Sequence, residues 1–331
     1  MFTPRRPLAL LALFTAACST SSAPATATPP ATAVDREAGV AGVAGVDAGA
    51  EEAAADPGAE AGVDASGSIG GERPVAVHTP PGYAAGTALP LVVMLHGHTV
   101  TGQIEESYLG LTPLADSRKF LYAYPDGTKD AKGVPFWNAS NSCCDIDGKH
   151  TDDSGYLSLV IKQVQARYSV DPKRIFIVGH SNGGFMAYQM ACDHADQIAA
   201  IVSLAGGMYP DPKKCVPTSP VSVLEIHGTA DMTIPFTGPT FGGVVFPGAQ
   251  ATVSDWVTLD ACSPTADTSA PPLDLDSSLS GAETTVIRYA KGCRPGGEAE
   301  LWTIVGGPHI PSLSATFAPD VIDFLFAHPK P

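Results

Sequence analysis

The sequence predicts an α/β protein, with a mostly parallel central sheet and helices on both faces, and three observations predict it. Short runs of consecutive apolar residues recur, the clearest being 91–95 (Leu-Val-Val-Met-Leu). Strands that are apolar throughout, rather than alternating, belong to a sheet covered on both faces. Between the runs lie stretches with helical spacing: Leu157, Val160, Ile161, Val164 and Tyr168 follow an i, i+3, i+4, i+7 stripe. Run and stripe alternate along the chain, which is the pattern of a parallel sheet with crossover helices.

In chain order, residues 1–18 have the layout of an export signal: Arg5 and Arg6, an apolar stretch over 8–14, then Thr15-Ala16-Ala17-Cys18. Small residues before a cysteine resemble the bacterial lipoprotein signal, so Cys18 is a lipidation candidate; Thr15 stands where such signals usually carry Leu, which keeps ordinary cleavage open. The expected location is exported, either lipid-anchored to a bacterial membrane or secreted. No later run approaches the roughly 20 apolar residues that span a bilayer, so the lipid is the one membrane contact expected. Residues 19–71 lack aromatics and repeat Ala, Gly, Val and Pro without a fixed period. This is the composition of a disordered linker. Eight acids against Arg36 give this segment much of the net charge of -15. That balance argues against nucleic acid, whose phosphates need basic patches.

Residues 72–331 read as one catalytic-sized domain. Strands are expected at 91–95, 120–124, 174–178, 199–204, 221–226, 285–289 and 300–305. Helices are expected at 152–168, capped by Thr151 or Asp152, at 185–191, and at 320–328, with Pro319 suited to its first turn. Six cysteines lie here, and in an exported chain they read as disulfides. Chain order suggests Cys192–Cys215 and Cys262–Cys293. The adjacent Cys143 and Cys144 then either bridge each other or bond elsewhere. No cysteine pair has zinc-site spacing, and His96 with His98 lacks a third ligand; no metal or other cofactor is expected.

Gly179-His180-Ser181-Asn182-Gly183 fits G-x-S-x-G between a strand and a helix-like stretch. That turn raises a serine above the sheet edge on strained backbone. A serine hydroxyl needs a base, and the base needs an orienting acid. In this arrangement the acid and then the histidine follow the serine. Of the four histidines after Ser181, His194 and His227 precede the best acid and His328 ends the last helix. His309 follows a strand through Gly306-Gly307-Pro308, at the carboxyl end where α/β sites gather. For the acid, Asp231 follows the strand 221–226, and Asp211 is its one serious competitor. Asp255, Asp260, Asp320 and Asp323 read as solvated faces of helices. The backbone amides of Asn182 and His98 are the expected oxyanion donors, and His96 reads as a structural histidine.

These motifs, with Phe136-Trp137-Asn138-Ala139, Asp152-Asp153 and Gly306-Gly307-Pro308-His309, resemble the polyhydroxybutyrate depolymerase-like esterases. That group includes feruloyl and acetyl xylan esterases of carbohydrate esterase family one. The resemblance covers roughly residues 73–329. It implies the α/β-hydrolase fold, a triad of Ser181, Asp231 and His309, and hydrolysis of feruloyl or acetyl esters on plant polysaccharide. A polyhydroxyalkanoate substrate is the alternative, and a non-catalytic binding protein the third reading. It also implies Trp137 as a wall of the substrate cleft, against ordinary core packing, with His180 as a second substrate contact. The expected partner is the ester substrate, taken by a monomer. The chain departs from many relatives around His309, where Pro308 precedes and Ile310-Pro311 follows.

Overall fold

The computed structural model describes residues 68–331 apart from 141, 142, 146, 239, 242 and 243. The expected signal at 1–18, with Cys18, and nearly all of the expected linker lie outside the described residues. In chain order the elements begin β1 (Val77–His78), β2 (Leu89–Leu95), α1 (Gly102–Leu109), α2 (Thr112–Arg118) and β3 (Leu121–Ala123). A small hairpin of β4 (Thr128–Lys129) and β5 (Pro135–Phe136) follows, then α3 (Asp153–Arg167), β6 (Val170–His180), α4 (Asn182–Asp193), β7 (Ala200–Leu204) and β8 (Ser222–Gly228). A second hairpin, β9 (Thr240–Phe241) and β10 (Val244–Val245), precedes α5 (Ala249–Leu259), β11 (Thr284–Tyr289), β12 (Ala299–Ile304) and α6 (Phe317–Ala327).

Eight strands form one sheet in the order β1-β3-β2-β6-β7-β8-β12-β11. The six inner strands run parallel, and β1 and β11 close the two edges antiparallel. The apolar runs occupy both faces because successive side chains alternate sides. In β2, Leu91, Val93 and Leu95 face the core shared with α3, α4 and α5, while Val92 and Met94 face the core shared with α2 and α6. Ile175 and Ile177 of β6 pair with the first core, Phe176 and Val178 with the second.

Helix α3 starts where its cap permits: Asp152 Oδ1 accepts the Gly155 N–H at 2.7 Å, satisfying one of the orphan donors of the first turn. The packed chain begins ahead of residue 72, since Ile69 is buried in the first core. Gly70 N–H donates to Gln163 Oε1 on α3 at 2.8 Å. Arg73 lies over the Tyr156 ring and pairs with the buried Asp153 at 2.6 Å. The other oxygen of Asp153 accepts the Asn138 N–H at 2.8 Å, so the start of the domain is tied to the loop beside Trp137.

The disulfides are Cys192–Cys215, Cys262–Cys293 and the vicinal Cys143–Cys144. One expected solvated acid is not solvated. Asp260 caps the end of α5, fully buried, with Arg294 Nη2 at 3.5 Å, and burial pushes its carboxyl up to about 7.

Candidate active site

Strand β6 runs into α4 through Ser181, whose backbone sits at φ 54° and ψ -118°, a conformation that costs a non-glycine residue on the order of 1–3 kcal/mol. Two glycines permit the turn. A Cβ on Gly179 would lie 2.1 Å from the Gly183 carbonyl, and one on Gly183 would lie 2.1 Å from the Leu95 carbonyl on β2. Helix α4 thus rests directly on the sheet, and Ser181 N–H donates to Leu204 O at 2.7 Å to hold the turn.

The carboxyl ends of β8 and β12 bring the partners. His309 lies with Nε2 2.9 Å from Ser181 Oγ and Nδ1 2.7 Å from Asp231 Oδ2. Asp231 is fixed on its other oxygen by the Thr233 and Ile234 amides, both at 2.8 Å. Ala230 N–H donates to Gly307 O at 2.9 Å, joining the acid loop to the histidine loop. Burial opposes the Asp231 charge, but hydrogen bonds from His227 and His309 hold its carboxyl well below the usual range. Burial holds His309 below the usual imidazole range, the Asp231 hydrogen bond opposing it and His180 adding to it.

The loop after β2 lies against the serine, since a Cβ on Gly97 would be 3.6 Å from Ser181 Cβ. Gly97 N–H is occupied, donating to Glu105 Oε2 at 2.8 Å. Among the described residues no acceptor takes the backbone N–H of His98 or of Asn182. Asn182 is the first residue of α4, where amides have no partner within the helix. Its side chain is locked instead: Oδ1 accepts the Trp137 N–H at 2.7 Å, and Nδ2 donates to Trp137 O at 2.8 Å and reaches Cys143 Sγ at 3.4 Å. The vicinal disulfide therefore backs the residue after Ser181.

Two expected substrate contacts are buried. Trp137 is fully buried in the first core, and its indole N–H donates to His96 O at 3.0 Å, which is the core-packing reading of this residue. His180 is also buried, with Nδ1 2.9 Å from Glu105 Oε1 and Nε2 3.1 Å from the His309 carbonyl. Both its nitrogens are engaged, leaving none for a substrate. Asp211, the rival acid, caps a short 3-10 turn at Pro212–Lys214 and accepts from Lys213 N–H. His328 bonds to Phe324 O and Glu298. His96 is structural: buried, it reaches Gly97 O through Nδ1 and accepts the Gly127 N–H at Nε2. Sequence reasoning missed Glu105, Glu225 and His227. His227 lies with Nδ1 3.0 Å from Glu225 Oε1, and with Nε2 2.8 Å from Ile234 O and 3.3 Å from Asp231 Oδ2.

This rim, with a serine on a strand–turn–helix bend and an imidazole and carboxylate behind it, coincides with a sequence match. Residues 66–275 match the family described as "Putative esterase". The chain belongs to that esterase family. The matched stretch contains Ser181 and Asp231, and His309 lies beyond it. Among individual proteins, this esterase-family chain is 32% identical over 170 residues to the "Putative esterase NocK" of Nocardia uniformis subsp. tsuyamanensis, covering 51% of this chain and 48% of the relative. It is 27% identical over 245 residues to feruloyl esterase B of Piromyces equi, covering 72% and 42%. It is 36% identical over 138 residues to poly(3-hydroxyalkanoate) depolymerase C of Paucimonas lemoignei, covering 40% and 31%. The chain spans less than half the length of each of these relatives. A solved acetyl xylan esterase from Aspergillus awamori superposes with a TM-score of 0.53 at 14% identity, over 76% of this chain and 93% of that one. That likeness bears on the fold alone, which is the expected α/β-hydrolase fold.

Proposed function

We propose that this chain hydrolyses carboxylic esters through an acyl-enzyme formed on Ser181, with His309 as base and Asp231 orienting it. The observation that carries the reading is the unbroken hydrogen-bond path from Ser181 Oγ through His309 to Asp231, at 2.9 and 2.7 Å. Ser181 Oγ attacks the ester carbonyl while His309 Nε2 accepts its proton, and Asp231 stabilises the imidazolium. The developing oxyanion is assigned to the amides of Asn182 and His98, which no acceptor takes among the described residues. His309 returns the proton to the leaving alcohol. Water then repeats the cycle on the acyl group and releases the acid.

The proposed substrates are feruloyl or acetyl esters of plant polysaccharide, in line with the relative from Piromyces equi. A polyester reading is second. It is favoured by the relative from Paucimonas lemoignei and by two exposed apolar side chains, Met232 next to Asp231 and Ile310 next to His309. Methyl ferulate, acetylated xylan and a polyhydroxybutyrate film, assayed side by side, separate the two. In the assay on the preferred substrate, Ser181→Ala lowers kcat by several orders of magnitude and abolishes labelling by a fluorophosphonate. Full activity in that variant overturns the proposal. We also propose that the chain is exported and acts as a monomer, with Cys18 carrying lipid, which mass spectrometry of the mature N-terminus tests.

A further inference from the structure

One buried carboxylate on α1 connects three of the four loops of the site, two directly and the third through His180. Glu105 Oε2 accepts the Gly97 N–H of the loop after β2, at 2.8 Å. Glu105 Oε1 lies 2.9 Å from His180 Nδ1 in the turn that carries Ser181. His180 Nε2 lies 3.1 Å from the backbone carbonyl of His309. Both ring nitrogens of His180 thus face oxygens that can only accept: an ionised carboxylate on one side and a carbonyl on the other. A neutral imidazole has one donor and one lone pair, so either tautomer would turn a lone pair onto an oxygen. With Glu105 ionised, as the Gly97 amide on its other oxygen favours, two donors are required, and only the imidazolium has them. His96, immediately before Gly97, is the contrast: it faces one acceptor and one donor, Gly97 O and Gly127 N–H, and suits a neutral ring.

We propose that the Glu105–His180 pair is a positioning device for the reaction, a buried carboxylate–imidazolium that pins the His309 backbone and holds the three loops in register. It rests on the roles proposed above for Ser181 and His309. The charged and hydrogen-bonding groups facing the pair come from several elements. On His180 act Glu105 of α1, His309 after β12, and Asp231 after β8, and its ring lies against those of Tyr108 and His309 with centroids 5.5 and 5.3 Å apart. On Glu105 act His180, the Gly97 amide and His96. Burial works against a charge on His180, and the Glu105 hydrogen bond and charge outweigh it, leaving His180 raised and Glu105 lowered. An imidazolium beside His309 also helps to keep the proposed base unprotonated.

The test is done on the full chain. Nitrogen-15 spectra of histidine-labelled protein, assigned in the wild type, are expected to show both His180 ring nitrogens protonated at pH 8 while exposed histidines are neutral. In Glu105→Gln that signature is lost and kcat falls by about tenfold to a hundredfold, as expected for loops displaced by a fraction of an ångström, with KM little changed. In His180→Gln the acid limb of kcat/KM moves to higher pH, because the nearby cation no longer disfavours protonation of His309. A neutral His180 in the wild-type spectrum overturns the proposal, whether or not the variants fold. So does Glu105→Gln with wild-type kcat, or His180→Gln with an unmoved acid limb. A wild-type protein with neither turnover nor labelling of Ser181 instead defeats the esterase reading, and the spectrum alone then decides the charge of the pair.

Discussion

His227 is buried beneath Asp231 with oxygens on both sides, Glu225 at one nitrogen and Ile234 O with Asp231 at the other. Burial opposes its charge, but the hydrogen bonds from Asp231 and Glu225 raise it to about 10. A second imidazolium therefore lies behind the proposed acid. Its stabilising effect has a definite sign. A group raised on folding contributes fully below its unfolded value, about 6.5 for histidine, and the contribution is lost as the pH rises through the folded value. Urea midpoints are expected to fall between about pH 6.5 and 10 in the wild type. In His227→Gln that slope flattens, while the midpoint at pH 6 drops because Glu225 and Asp231 lose a buried cation. An unchanged slope in the variant would assign the decline to other groups.

At the scale of the element, the bend between β6 and α4 is set by backbone contact rather than by side chains. Gly183→Ala places a carbon against the Leu95 carbonyl, and overpacking of this kind costs about 1–3 kcal/mol or more. The variant is expected to melt lower than the wild type and to lose fluorophosphonate labelling, since α4 must lift off the sheet and carry the Asn182 amide with it. A melting curve like the wild type's would mean that the strand yields freely. This bend was legible in the sequence because glycines, serine, strand and helix fall in a fixed order. Asp231 and His309 were legible for a related reason: chain order and strand ends left few candidates. Helix α1 was not legible, because its buried residues include Glu105 and Glu106, so the inward face carries carboxylates and leaves no apolar stripe. The sequence leaves Trp137 open between cleft wall and core packing because an aromatic beside a motif does not reveal which way it points, and here its indole N–H finds a backbone carbonyl inside the core. His180 sits at the variable position of the serine motif, where the pattern says nothing of a partner 75 residues away.

Over the whole molecule, the two longer disulfides brace the helices that cover one face of the sheet. Cys192–Cys215 joins the end of α4 to the segment before β8, and Cys262–Cys293 joins the end of α5 to the turn after β11. Each restricts the unfolded chain far more than the folded one. Replacing Cys262 and Cys293 together by Ser is expected to cost about 2–4 kcal/mol, read as a lower urea midpoint. The kcat of the folded protein should stay as it was, since neither cysteine touches the residues around Ser181. A loss of kcat at constant stability would instead couple that bridge to the site.

Arg73 has a bearing on how the front of the protein can be handled. Cutting the chain back past it strips Asp153 of its cation in a place water does not reach, and Asp153 also steadies Asn138, next door to the backbone that clasps Asn182. Damage done at what looks like an expendable leading edge would surface as a poorer catalyst rather than as a frayed end, so a tag or fusion is better joined ahead of Ile69.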